Sequence, residues 1–200
     1  MRKNILAIAF ILCVFGLLVM NRVDVGPQVE ARVSRSRTYL TYKTYAENHV
    51  FRRGETVRTG KGEFVELLIG ESVRVNLDEL TNLKLESLSK QNVRIGFGHG
   101  RILVNVNNGG NLEVDTPTAE HRVTGRASFI GYDFKHQTSV IPLFLESTGS
   151  IQTTIPLLNQ TFEVTGPITI TDVNPPVVVE TKFNEKTDPR KEFYLWAEGK

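Results

Sequence analysis

The sequence predicts an all-β domain of short strands, wound as a β-roll or solenoid-like coil or packed as a sandwich, and preceded by one N-terminal transmembrane helix. Three observations carry the prediction. From residue 50 onward, apolar residues recur with the period of two that sends alternate side chains to opposite faces of a strand. Glycine, asparagine, proline and serine punctuate these runs at the roughly 8–12-residue spacing of sandwiches and barrels. The longest apolar run lies within residues 1–20, and no later stretch shows amphipathic helical spacing.

The N-terminal segment, "MRKNILAIAFILCVFGLLVM", places Arg2 and Lys3 before an uninterrupted apolar run from Ile5 to Met20. A membrane span typically takes ~17–25 residues, and a signal-peptide core ~7–15. No small-residue cleavage pattern follows the run directly, and "VEA" at Val29–Ala31 lies well downstream. Residues 1–25 therefore read as an uncleaved signal anchor, with a cleaved, secreted form as the alternative. A charged N-terminus before an apolar core sends the rest of the chain out of the cytoplasm. Arg22, Arg32, Arg35 and Arg37 argue the other way by the positive-inside tendency, so charge alone does not fix orientation.

Cys13, the sole cysteine, lies inside this run, which excludes an intramolecular disulfide and a multi-thiolate metal site. Leu12 before it argues against lipid attachment there. Residues 26–49 read as a connector with one first strand in "TYLTYKTY" (38–45), whose tyrosines suit an edge or a membrane interface. The cluster Arg32, Arg35 and Arg37 is expected near a membrane surface.

The β body spans 50–171. Val65, Leu67 and Ile69 form one strand face, "IGES" turns at Gly70, and Val73, Val75 and Leu77 return. Leu83 and Leu85 follow, then Val93, Ile95 and Phe97. "GFGHG" (96–100) reads as a tight turn rather than a phosphate loop, because no helix follows it. Ile102, Val104 and Val106 come next, and "NNGGN" (107–111) reads as a hairpin turn. Leu112 and Val114 lead to a corner at Thr116–Pro117, because proline cannot donate to a central ladder.

His121 and Val123, then Phe129–Phe134, continue the pattern. Ile151, Thr153 and Ile155, Phe162 and Val164, and Ile168 and Ile170 complete the body. "NPP" (174–176) marks a boundary before a last run, Val177–Val179. Residues 172–200 are thus a C-terminal strand and a mobile charged tail with Phe193, Tyr194 and Trp196 as anchors.

A hydrophobic share of 40% with 23% charged residues is that of a globular chain. A formal net charge of +2 lacks the clustered basic excess of a nucleic-acid binder. The four histidines (His49, His99, His121, His136) form no pair at ligand spacing, and no serine sits in a nucleophile elbow. Glu63, Glu66, Asp78, Glu79, Glu86 and Asp115 supply carboxylates that a glycoside hydrolase would need in pairs, but most fall on the solvated face of an alternating strand. The expectation is a non-catalytic chain without cofactor, metal or nucleic-acid ligand. Protein binding by strand addition needs no distinctive side chains.

In order, these motifs resemble a FecR-type domain. "VRTGKGEFVELLIGESVRVNLDELTNLKLESL" (57–88) is similar to the family's first half, with Thr59 and Gly60 at the entry, Gly70 and Ser72 in the turn, and Thr81 closing a strand. "VRIGFGHGRILVNV" (93–106) resembles its hairpin, with Gly100 in the glycine position. "LEVDTPTAEHRVTGRASFIGYDF" (112–134) resembles the remainder, carrying Thr116, Pro117, Gly125 and Phe129. Two positions depart from the pattern: Gly125-Arg126 replaces the usual Gly-Thr, and the turn reads "GES". All ten motif residues read as architecture, and no binding residue can be named.

The resemblance implies an extracytoplasmic module that contacts a protein partner in the cell envelope and relays a signal. Only Met1–Asn4 precede the apolar segment, so the chain is expected to be a stand-alone relative lacking the family's cytoplasmic anti-sigma region. The expected location is membrane-anchored through the N-terminal helix, with the body in the periplasm or at the cell surface. An envelope polysaccharide, stacked on Tyr39, Tyr42 and Tyr45, is the alternative partner, and a carboxylate-based hydrolase the remaining one.

Overall fold

In the computed structural model the described residues are 27–38, 45–107, 109–125, 127–132, 137–142, 149–184 and 186–199. The anchor expected at 1–25, Cys13, Tyr39 and Tyr42 lie outside them. Among the described residues no helix is long and apolar enough to cross a membrane.

The body is all-β. The strands are β1 (Ala31–Thr38), β2 (Val50–Phe51), β3 (Thr56–Arg58), β4 (Glu63–Ile69), β5 (Val73–Leu77), β6 (Asn82–Leu88) and β7 (Val93–Val106). After them come β8 (Leu112–Asp115), β9 (Glu120–Thr124), β10 (Ala127–Tyr132), β11 (Gln137–Pro142), β12 (Ser150–Ile155), β13 (Gln160–Glu163), β14 (Ile168–Thr171) and β15 (Val177–Glu180). A helix, Lys191–Ala197, closes the chain.

Two sheets share β7. One runs β2-β1-β4-β5-β7-β10-β11-β14-β15, and the other β3-β6-β7-β8-β9-β12-β13. The first half of β7 pairs with β6 and β8, and its second half with β5 and β10. The β7–β8 pair is parallel, Val93 opposite Leu112 and Gly96 opposite Asp115, while the neighbouring pairs are antiparallel. Parallel neighbours need a crossover. Here the second half of β7 is that crossover: the chain passes into the other sheet and returns through 107–111.

Two turn expectations are therefore corrected. "GFGHG" lies inside one continuous strand, and "NNGGN" carries the chain between sheets rather than closing a hairpin. Pairing partners far along the chain extend the first stretch, whereas the second keeps its turn, closed by Gly110 N–H on the Asn107 carbonyl at 2.9 Å.

One apolar cluster joins the sheets. Val33, Leu67, Val75 and Ile102 from the first sheet pack with Leu85, Ile95, Val114, Val123 and Ile151 from the second. The alternation read in the sequence supplies this layer: in β8, Leu112 and Val114 are buried while Glu113 and Asp115 are half-buried.

The strand expected at 38–45 lies, between 39 and 44, outside the described residues; the first described strand is Ala31–Thr38, where Ala31, Val33 and Ser36 turn inward. Arg32, Arg35 and Arg37 are thus strand residues, paired with β4 at Leu68, Glu66 and Phe64.

The charged tail, expected to be mobile, is packed instead. Phe193, Tyr194, Trp196 and Ala197 of the C-terminal helix are buried in a second cluster with Phe64, Leu103 and Ile141. The sequence signal was only seven residues long, too short for a periodicity to emerge.

Candidate interaction surface

The motif residues assemble into local fastenings. Thr59, Gly60, Thr81 and Gly100 meet where β7 crosses between sheets. The Thr59 hydroxyl donates to the Asp78 carbonyl at 2.5 Å and accepts the Thr81 N–H at 2.9 Å. The Thr81 hydroxyl lies 3.1 Å from both N and O of Arg101. Gly60 donates its N–H to Glu63 at 2.9 Å. Gly100 has φ +105°, and a Cβ there would stand 2.5 Å from the Thr81 Cα, so glycine is required twice over.

Gly70 and Ser72 hold a different place. The Gly70 N–H donates to the Glu30 carbonyl at 3.0 Å, and the Ser72 carbonyl accepts from Asn107 at 2.8 Å. Both residues line a cavity of about 640 Å³ at this end of the molecule, with Val29, Arg32, Lys90 and Val93 among its walls. Thr116 and Pro117 form the turn between β8 and β9, closed by the Ala119 carbonyl accepting from the Thr116 N–H at 2.8 Å. Thr118 bonds Thr138 of β11 at 2.5 Å, which ties the corner to the other sheet. Gly125 has φ +56°, and its carbonyl carbon would lie 2.3 Å from a Cβ placed on Gly149. Phe129 stands between Leu103 and Ile141 in register; its side chain is outside the described residues.

The carboxylates are tied to arginines and backbone donors. Glu66 pairs with Arg35 at 3.0 Å and accepts from Ser34 at 2.6 Å. Glu86 and Asp115 both reach Arg94, at 3.5 and 2.5 Å. The Asp115 hydrogen bond raises the Arg94 pKa further above its ordinary value. Along the outer face of the second sheet, Arg94, Glu113 and Arg122 stand in one cross-strand row of alternating charge. Such rows favour their own register. Among the described residues no group of three His, Cys, Asp or Glu is placed to hold a metal ion.

Sequence reasoning missed the latch on the C-terminal helix. Arg190 reaches Asp78 at 3.6 Å and bonds Glu79, while Arg101 reaches Asp188 at 3.4 Å. Burial pushes the Asp78 carboxyl up to about 6. The Gly62 N–H, and then Arg190, hold Glu79 below the usual carboxylate range. No signal in the sequence joins residue 78 to residue 190.

Two other side chains are occupied or enclosed. Tyr45 packs edge-on to Phe51 at 5.0 Å and accepts the Arg58 N–H at 3.1 Å, which spends it on the interior rather than on a sugar platform. His121 is 1% exposed, bonded to Thr153 at 2.9 Å, and burial pulls its pKa down to about 3.

What stands open is the edge of the first sheet. β15 pairs with β14 on one side, and among the described residues no strand pairs with the other. Val177, Val178 and Val179 are 48%, 37% and 48% exposed. The Thr181 N–H donates to the Pro167 carbonyl. By antiparallel alternation, residues 177 and 179 then bond β14, and Val178 and Glu180 point their backbone groups outward. At the far end of the other sheet, β13 is the polar run "QTFE".

Residues 55–143 match the family model described as FecR protein, a span that contains the motif stretch 57–134. No curated protein matches the sequence. Two crystal structures of a protein from Parabacteroides distasonis, provisionally named an anti-sigma factor, are similar in fold. Each has a TM-score of 0.55 and 16% identity, covering 72% of this chain and 65% of the other. The match thus spans less than two thirds of that protein's length.

Proposed function

We propose that this chain, whose residues 55–143 are a FecR-type domain, is a non-catalytic protein-interaction module in signal relay. In this reading, residues 1–25 tether it to a membrane and its β body lies outside the cytoplasm. The observation that carries the interaction is the open valine edge of β15, which offers backbone donors and acceptors to an added strand. The FecR match supports the signalling context, as does the name given to the P. distasonis protein of similar fold.

Affinity capture from native membranes tests this function. The tagged full chain should recover a specific protein partner, and Val178→Pro should lose it. That substitution removes an outward N–H while leaving the β14 ladder bonds in place, as edge strands tolerate. Recovery of no specific partner, or equal recovery by the variant, would count against strand addition at β15.

A further inference from the structure

We infer that the strand added to β15 is β15 of a second copy, paired antiparallel about a two-fold axis through Val178. The inference rests on the edge-binding reading above and names its partner. Three features of the edge are self-complementary.

The first is hydrogen bonding. The outward groups are the N–H and C=O of Val178 and Glu180, and Pro176 next in line has a carbonyl and no N–H. With Val178 opposite the second copy's Val178, the two residues exchange N–H and C=O. Each Glu180 N–H then meets the other copy's Pro176 carbonyl, so all these donors are paired. Opposing Glu180 to its own mate instead would set Val178 opposite Lys182, past the end of the strand, and bring the two carboxylates face to face.

The second feature is side-chain pairing. Val177 falls opposite Val179 and Val178 opposite itself, three apolar cross-strand contacts in a row. The third is charge. Glu180 faces Pro176, so the two carboxylates stand four residues apart along the strands, on the order of 13 Å, beyond a Debye length at physiological salt. A closed two-fold contact of this kind uses one patch on both subunits and ends there, without growing into a fibre. Two edges of four residues form a small contact, so the pair is weak in dilute solution. Copies tethered to one membrane would gain from their raised effective concentration.

Cysteine scanning of the full chain in detergent micelles, in a Cys13→Ala background, tests the register. Opposed residues of a hydrogen-bonded pair have Cα atoms about 5.5 Å apart, within disulfide reach. Under mild oxidation Val178→Cys should give a covalent dimer and Val177→Cys alone should not. The double variant Val177→Cys/Val179→Cys should restore it. Sedimentation equilibrium gives an independent reading without any disulfide: the wild-type protein mass should rise from 22.5 kDa toward twice that with concentration, and Val178→Pro should stay at the monomer.

A wild-type mass that stays monomeric at the highest concentration overturns the inference. So does cross-linking that ignores register. A cross-link from residue 178 to a different protein overturns self-pairing but leaves the edge-binding function standing, so the two failures are distinguishable.

Discussion

At Gly100 a backbone with φ +105° passes within van der Waals contact of Thr81, and the space a side chain needs is already taken. Gly100→Ala should cost on the order of 3 kcal/mol, combining left-handed strain with a clash against backbone. A urea-unfolding midpoint would measure it, and a near-neutral result would mean the crossing of β7 can shift to make room. Two buried ionisable groups give the pH dependence, with opposite signs. His121 stays neutral in the native state down to about 3, whereas the unfolded chain protonates near the ordinary histidine value of 6.5, so this group's contribution falls as pH drops through that window. Asp78 holds its proton up to about 6 natively against 3.8 unfolded, so its contribution falls as pH rises through that window, by about 3 kcal/mol in all. Across their overlap the two slopes oppose. His121→Leu removes one of them, so the variant should gain stability between about pH 6 and 4, where the wild type changes less. Loss of the Thr153 hydrogen bond shifts the variant's absolute stability and leaves that slope untouched. Unfolding midpoints over a pH series decide it: parallel curves for the two proteins would refute the assignment.

The C-terminal helix is an element that cannot stand alone, since isolated helices shorter than ~12–15 residues are marginal in water. Tertiary contacts hold it. Phe193 and Trp196 pack against Phe64 at ring distances of 5.6 and 5.5 Å, and the Arg35 guanidinium lies 4.5 Å from the Trp196 ring centre. The latch from Arg190 to Asp78 and Glu79 fixes its start. Arg190→Gln removes one of the two arginines that offset the buried Asp78, and because the guanidinium is about a third exposed the loss should be roughly 1–2 kcal/mol, below that of a fully buried pair. The helix should then leave the sheet at denaturant concentrations that the β body survives. Trp196 is the sole tryptophan, so its emission reports the event directly. A red shift preceding the far-UV transition is the expected outcome, and coincident transitions would show that helix and sheet remain one cooperative unit.

For the whole molecule the prediction concerns placement. A C-terminal epitope should be cleaved by protease in cells whose outer envelope is breached while the inner membrane stays closed. Protection until the inner membrane opens would place the body in the cytoplasm, as the arginines after the apolar segment would have it, and the extracytoplasmic relay would have to be given up. Much of the fold was legible in the chain because period-two alternation and turn residues are local signals: β4, β5, β8 and β9 lie where Val65–Ile69, Val73–Leu77, Leu112–Val114 and His121–Val123 placed strands. The motif order identified the FecR-type domain for the same reason. "GFGHG" misled because its composition permits a tight turn while distant partners draw it out as strand; "NNGGN" does turn, Gly110 N–H bonding the Asn107 carbonyl, but it leads to a strand of the other sheet rather than back along β7. The helix at 191–197 stayed hidden because two turns of helix carry little periodicity, and the Arg190 latch because its partners lie 111 and 112 positions away. The sequence by itself therefore determined the all-β class, the FecR-type domain and the inward-facing residues, all functions of near neighbours along the chain. Only the tertiary structure decided that one strand serves two sheets, that the tail docks as a helix and that β15 is left with an open edge, since each depends on which distant segments meet and bury one another's surface.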